Sequence, residues 1–326
     1  SGLTVGLRVF LLLFLYMRDE SSFNMYHSKY DRIYRIVETP DASGTGESKT
    51  TGTNWAMTAA LKDEFPEVEN ITRVLQLGGS ILSVEEKRFL ERNYYVVERS
   101  YFDVFDHNFL KGRIGSEVES PVADIVISES TSAKYFEDED PVNKIIRDGR
   151  FGDCRVVAVF QDYPLTSSFR PDFLYLTDIN RWPAERQRMF SSWDYRNCGA
   201  YVVLSEKADV NSLLSKKEHF LKDHLDEKWR MRNFELQAMS DFHLRSTDIN
   251  TISQTAKGNA QYLTIFGLVA LFVLAVAVIN YINLTTARVI FRRKEVGMRK
   301  TVGATRLQMI TQFLVESVFI SAIATL

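Results

Sequence analysis

YLTIFGLVALFVLAVAVINYI, Tyr262–Ile282, is a run of 21 residues without a charge. At about 1.5 Å per helical residue it spans roughly 31 Å, enough to cross the hydrocarbon core of a bilayer. The stretch that follows, ARVIFRRKEVGMRKTVGATR (287–306), is dense in cations. Residues 285–306 hold seven Lys or Arg against one acid, Glu295. Such an excess in a short connection marks the cytoplasmic side. A second apolar run starts at Leu307 and continues to Leu326. The pattern predicts a membrane protein, with a transmembrane helix over 261–284, a cytoplasmic loop over 285–306 and the start of another transmembrane helix over 307–326.

Working outward, Gly2–Met17 (GLTVGLRVFLLLFLYM) is apolar apart from Arg8. Sixteen residues give about 24 Å, short of a full span. The following Arg18-Asp19-Glu20-Ser21-Ser22 offers no small-residue cleavage pattern, so the segment reads as an uncleaved anchor over 1–17 rather than a signal peptide. Its missing length is expected to lie upstream. Two flanking spans then put residues 18–260 outside the cytoplasm. That segment holds 32 basic and 40 acidic side chains, a balance of −8 hidden in the overall −2. An acidic exterior argues against nucleic acid as a partner.

Alternation in Asp31–Glu38 (DRIYRIVE) predicts a strand. Asn54 is a helix cap for Trp55–Phe65, which stops at Pro66, and Ile71–Leu77 is the next strand. Far downstream the order repeats: strand Ala200–Ser205, amphipathic helix Val210–His224, strand Asn233–Met239. Two βαβ halves combine into a split ferredoxin-like sheet with both helices on one face. Residues of about 80–195 are then a mostly β insertion. Its expected strands are Ser83–Val84, Phe89–Val97, Ala123–Ser128, Arg155–Phe160 and Phe173–Leu176, with one short helix, Glu129–Tyr135, capped by Ser128. The fold class is thus a membrane protein whose helices flank a large α+β domain.

Little in the chain points to catalysis. GTGESKT (44–50) has Ser48 before Lys49 and Ser43 where a phosphate loop needs its first glycine. The acidic run Glu137-Asp138-Glu139-Asp140 reads as a solvated turn before Pro141. The aromatic stretch Asn93–Phe109 reads as core. The five histidines are scattered, and His219 and His224 lie about 140° apart round a helix, a poor metal pair. Cys154 and Cys198 are too few for a disulfide framework, and Cys154 reads as a small buried residue. No cofactor, no metal and no enzymatic activity are expected.

One stretch carries a family likeness. Asn280–Glu316 resembles the FtsX/MacB-type ABC transporter permease domain, whose segment between the second and third transmembrane helices reads roughly R-x-K-E-[VI]-G-[ML]-R-[KR]-x-x-G-A. Arg292, Lys294, Glu295, Val296, Gly297, Met298, Arg299, Lys300, Gly303 and Ala304 match it, with Arg293 between the first two. The exterior segment is similar to the MacB-type periplasmic core domain through YDRIYRI (30–36), EFPEV (64–68), YFDVF (101–105), SESTSAKYF (128–136), DYP (162–164) and DFHL (241–244). The wording is similar to that of large FtsX-like permeases of Bacteroidota. The resemblance implies a multi-pass protein of the bacterial inner membrane, with residues of about 18–260 in the periplasm. It implies a cytoplasmic ABC ATPase as partner, and a homo- or pseudo-dimer of permease units in membrane lipid. It implies that nucleotide-driven closure of the ATPase moves the periplasmic domains, expelling antimicrobial compounds, peptides or lipoproteins. Residues 292–304 would be the coupling loop, with Lys294–Lys300 as a short amphipathic helix along the membrane.

Two expectations remain. Arg8 and Glu316 fall at similar depths in their spans, and ionisable groups inside a span seek partners, so they are expected to face one another or to meet in a dimer. The alternative to a permease is a membrane-anchored extracytoplasmic sensor. A sensor would lead from its second span into a helical linker, whereas here another apolar run begins within 25 residues.

Overall fold

The structure is a computed structural model. It describes residues 2–39, 48–115, 122–178, 182–193, 196–224, 233–252 and 256–301, together with Thr305, Leu307, Ile310, Thr311 and Val315. The chain divides into two units, residues 1–22 with 259–326, and residues 23–258.

The first unit contains the helices α1 (Gly2–Ser21) and α7 (Ala260–Thr301). α1 does not stop where its apolar run ends. It continues through Arg18, whose cation sits favourably near the helix C-terminus. α7 is 42 residues long, about 63 Å. Among the described residues one helix is long and apolar enough to cross a membrane, Ala260–Ala287, with a mean hydropathy of 2.8. α1 has 20 residues but carries Arg8, Arg18, Asp19 and Glu20.

Small residues set the α1–α7 contact. Gly6 is buried against Ala277, and a methyl group there would collide with the alanine's own. Ala270 and Ala277, seven apart, are the buried alanines of α7. Tyr16 meets Phe266 edge-on at 5.5 Å. Leu268, Leu271, Phe272, Ile279 and Ile282 face outward, each more than half exposed, as lipid-facing residues would be.

One expectation fails in this unit. The segment expected as a loop over 285–306 is helix through Thr301, unbroken from the span. Lys294–Lys300, expected as a short helix of its own, is the end of α7. The physical reason lies in the composition. Ala, Arg, Lys, Glu and Met are strong helix formers, there is no proline, and Gly297 costs only about 1 kcal/mol, too little to stop a long helix. Charge density marks the membrane side of a segment, not the end of its helix. Most of 302–326 lies outside the described residues, including Gly303, Ala304 and Glu316.

The second unit contains strands β1 (Ile33–Thr39), β2 (Lys49–Thr50), β3 (Thr53–Asn54), β4 (Val68–Gln76), β5 (Ser80–Val84), β6 (Lys87–Glu91), β7 (Tyr94–Val97), β8 (Phe109–Gly112), β9 (Ala123–Ser128), β10 (Ile145–Asp148), β11 (Gly152–Phe160), β12 (Phe173–Leu176), β13 (Arg196–Leu204), β14 (Asn233–Ala238) and β15 (Ile249–Asn250). Its helices are α2 (Trp55–Glu64), α3 (Tyr101–Val104), α4 (Glu129–Phe136), α5 (Ala184–Phe190) and α6 (Val210–His224).

The ferredoxin-like half is present. β14, β1, β13 and β4 lie side by side in that order, each antiparallel to its neighbour, with Tyr34 opposite both Val202 and Ala238. α2 and α6 cover one face. Met57 and Leu61 of α2 and Leu213, Phe220 and Leu221 of α6 share a core with Ile36, Ile71, Val202 and Phe234. Asn54 caps α2, its side-chain oxygen accepting from the Met57 amide at 2.7 Å.

The insertion is not a separate layer. β7 pairs with β4 (Val74 opposite Val97), and the sheet continues through β12, β9, β11, β10, β5 and β6. The run Phe89–Val97, expected as one strand, divides into β6 and β7. β8, β10 and α5 were not foreseen, because their sequences are short and lack clear alternation. Ser128 caps α4, accepting from Thr131 N at 3.2 Å. Within the aromatic stretch Asn93–Phe109, Tyr94, Tyr95, Tyr101 and Phe105 are buried in the core, whereas Phe109 is exposed. Cys154 and Cys198 are buried free thiols.

Candidate functional site

The residues singled out by sequence reside on the last turns of α7. Arg292, Arg293, Lys294, Glu295, Val296, Gly297, Met298, Arg299 and Lys300 are all helical and follow directly from the span. Ala287, the end of the apolar segment, is followed by 14 more residues of helix, about 21 Å beyond the membrane-length part. Met298, a large apolar residue, is two-thirds exposed. Among the described residues a side chain added at Gly297 would meet nothing within 4 Å. In sequence, Met298 and Gly297 stand among the cations of this basic stretch.

Arg8 lies on the exposed side of α1, two positions and so about 200° from the buried Gly6. It therefore does not face α7. Its expected partner Glu316 lies outside the described residues. The phosphate-loop lookalike 44–50 lies mostly outside them too. The acidic run is a surface turn: Glu137 pairs with Lys87 at 2.7 Å, Glu139 pairs with Lys144, and Asp140 accepts from the Val142 amide.

The structure gathers two groups that sequence reasoning left scattered. His27 and His107 lie on either side of Asp106. The Asp106 amide donates to His27 Nδ1 at 3.1 Å, and the Asp106 carboxylate accepts from Ser28 Oγ at 3.0 Å. His107 Nδ1 is 2.6 Å from the Phe105 carbonyl, which can only accept, so that nitrogen carries the proton and Nε2 accepts from the Tyr163 hydroxyl. Burial pushes both imidazoles down to about 4, against the opposing pull of Asp106. Both are thus neutral structural groups at pH 7. Arg35 of the YDRIYRI stretch is buried as well. It donates from Nε to Gln237 Oε1 at 2.7 Å and from Nη2 to Ser246 Oγ at 2.6 Å, and lies 4.7 Å over the Phe242 ring. It ties β1 to the segment after β14. No short motif announces such contacts, because the side chains they join lie from 56 to 211 positions apart.

A split ferredoxin-like sheet with a β insertion, and a span that runs on into a basic helix, define the class: a membrane-anchored α+β protein of permease type. Residues 1–216 match the MacB-like periplasmic core domain and residues 267–326 the FtsX-like permease C-terminal domain. The chain belongs to the FtsX/MacB-type permease family. It is 28% identical over 264 residues to the macrolide export ATP-binding/permease protein MacB of Aggregatibacter actinomycetemcomitans, covering 78% of this chain and 37% of that protein. Against the protein of the same description in Campylobacter fetus subsp. fetus it is 29% identical over 208 residues, covering 62% and 28%. The chain thus spans about a third of the length of the curated relatives it matches. The crystal structure of a domain assigned to a permease protein of Porphyromonas gingivalis overlays with a TM-score of 0.54 at 24% identity, covering 65% of this chain and 92% of that domain, and shares its fold.

Proposed function

We propose that the chain is the permease part of an ABC transporter that couples ATP hydrolysis by a cytoplasmic partner to movement of its periplasmic domain. The observation that carries this is α7, continuous from Ala260 to Thr301 and ending on the family motif. A helix without a break moves as one body, so a push on its cytoplasmic end reaches the far side of the membrane without being absorbed by a loop. Met298, exposed on that end, is the apolar anchor for a pocket on the ATPase, and Glu295 and Arg299, one turn apart, supply polar register around it. The chemistry of hydrolysis belongs to the partner, and the chain itself needs no cofactor.

The remaining topology follows from this reading. α1 is a further span, residues 307–326 start a third, and residues 18–260 lie in the periplasm of an inner-membrane, multi-pass protein. Two permease units pair within the lipid, as homodimer or pseudo-dimer, to match two ATPase subunits. The cargo is taken up on the periplasmic side. The names of the relatives make exported antimicrobial compounds one class to test, with peptides and lipoproteins as others.

The test is reconstitution with the partner ATPase. Met298→Asp and Arg299→Glu should leave membrane insertion intact and lower permease-stimulated ATP hydrolysis at least tenfold. Stimulation unchanged in both variants would rule out the coupling role.

A further inference from the structure

Two cavities of the periplasmic unit adjoin at Arg150. The larger, about 790 Å³, opens between the sheet and α5. Its floor is aromatic: Trp182 and Phe190 are 4.6 Å apart edge-to-face, and Phe151 is 4.8 Å from Tyr175. The smaller, about 420 Å³, is lined by Arg88, Arg147 and Arg150 with Ser80, Ser83 and backbone. Arg150 lines both, and the chain passes from Leu77 in the first to Gly79 in the second. These volumes fall in the range of small-molecule sites.

The charges are arranged unequally. Arg147 pairs with Asp153 at 3.1 Å. Arg88, Arg150 and, at the aromatic end, Arg186 have no carboxylate within ion-pair distance among the described residues. Arg150 instead donates weakly to the Gly78 carbonyl at 3.4 Å and lies 6.0 Å over the Tyr94 ring, and Arg186 lies 5.6 Å over Trp182. The nearby carboxylate of Asp148 is buried and already taken. It accepts from Ser80 Oγ at 2.9 Å, from the amides of Arg150 and Phe151, and from the Tyr175 hydroxyl. Asp178 stands at the rim of the larger cavity. An otherwise acidic domain therefore keeps guanidinium groups without a carboxylate partner among the described residues at the end of an aromatic trough. Guanidinium forks recognise carboxylate and phosphate oxygens, and the trough holds an apolar body against water.

We infer that this double cavity is a binding site for an anionic amphiphile, its carboxylate or phosphate held by Arg88 and Arg150 and its apolar part lying on Trp182, Phe190 and Phe151. The site is separate from the α7 surface, and its occupancy does not require the ATPase. A cationic compound has the wrong sign for it.

The test uses the full chain in nanodiscs of zwitterionic lipid, with empty nanodiscs as the blank, and follows binding by calorimetry without nucleotide. The probes are octyl phosphate, octanoate, octyltrimethylammonium and inorganic phosphate. At least one of the two anionic octyl compounds should bind at least tenfold more tightly than the ammonium compound and than inorganic phosphate. The stronger of the two identifies phosphate or carboxylate as the preferred head. Arg88→Gln with Arg150→Gln should weaken that binding at least tenfold while the thermal midpoint stays within a few degrees of the parent. Trp182→Leu should weaken the octyl compound and leave inorganic phosphate unchanged. Equal binding of anion and cation, inorganic phosphate binding as well as the octyl anion, or full affinity in a folded double-arginine variant would each overturn the inference.

Discussion

His27 and His107 show how a residue's role depends on neighbours that the sequence does not put beside it. Read along the chain they are two isolated histidines. In the fold both are enclosed around Asp106, and burial holds their imidazoles at about 4, below the unfolded value of about 6.5. Between those two pH values the unfolded chain binds more protons than the folded one, so stability rises with pH in that window. Their contribution is complete above about pH 6.5 and drains away as pH falls toward 4. The thermal midpoint of the wild-type chain should fall by roughly 10 °C from pH 7 to pH 4.5. In the His27→Gln, His107→Gln double variant the fall should be clearly smaller, because only the carboxylates remain to titrate. Identical pH profiles would show that the two rings are not held neutral. The caps Asn54 and Ser128 are the opposite case. Their partners are three residues away, so both were legible from sequence alone.

At the scale of elements, what could be read followed from periodicity. β1, α2, β13 and α6 have long, regular patterns and were legible with boundaries a few residues off. The short strands β8 and β10 have four residues each, too few for a period to show. The end of α7 is hard to read for a different reason: its charge density suggests a connection, while its residues are helix formers. The α1–α7 contact was not legible either, since Gly6 and Ala277 are unremarkable members of apolar runs. It makes a prediction of its own. A side chain at Gly267 would lie 3.6 Å from the Met17 sulfur. Cysteines at 17 and 267 should therefore be joined in membranes by a short bifunctional thiol reagent, which spans the gap left when the long Met17 side chain is shortened, and adding Gly6→Leu should abolish the cross-link by forcing the helices apart. An undiminished cross-link would mean that the glycine seam does not set their distance.

Across the whole molecule, the repeated βαβ order made the ferredoxin-like half visible. The continuity of its sheet with the insertion was invisible, because the β4–β7 pairing has no sequence signature. The consequence is mechanical. A hydrogen-bonded sheet from β14 to β6 links the ferredoxin-like half to the cavity lined by Arg88 and Arg150, so the periplasmic unit should respond to a push as one piece. The buried thiols Cys154 and Cys198, both pushed up by burial, should take no label in the native state, which leaves the chain ready for site-specific probes. Labelling of either thiol before unfolding would contradict this packing.

That makes one experiment decisive for the lever. Leu165 is 81% exposed, and in the proposed dimer a spin label at Leu165→Cys would report the distance between the two periplasmic units. With the partner ATPase present, the distance distribution should differ between nucleotide-free and ATP-trapped states. Three glycines inserted after Ala287 interrupt α7 between span and motif while keeping both. The inserted chain should still bind the ATPase but show no nucleotide-dependent change in distance. The same shift with and without the glycines would contradict transmission through a continuous α7.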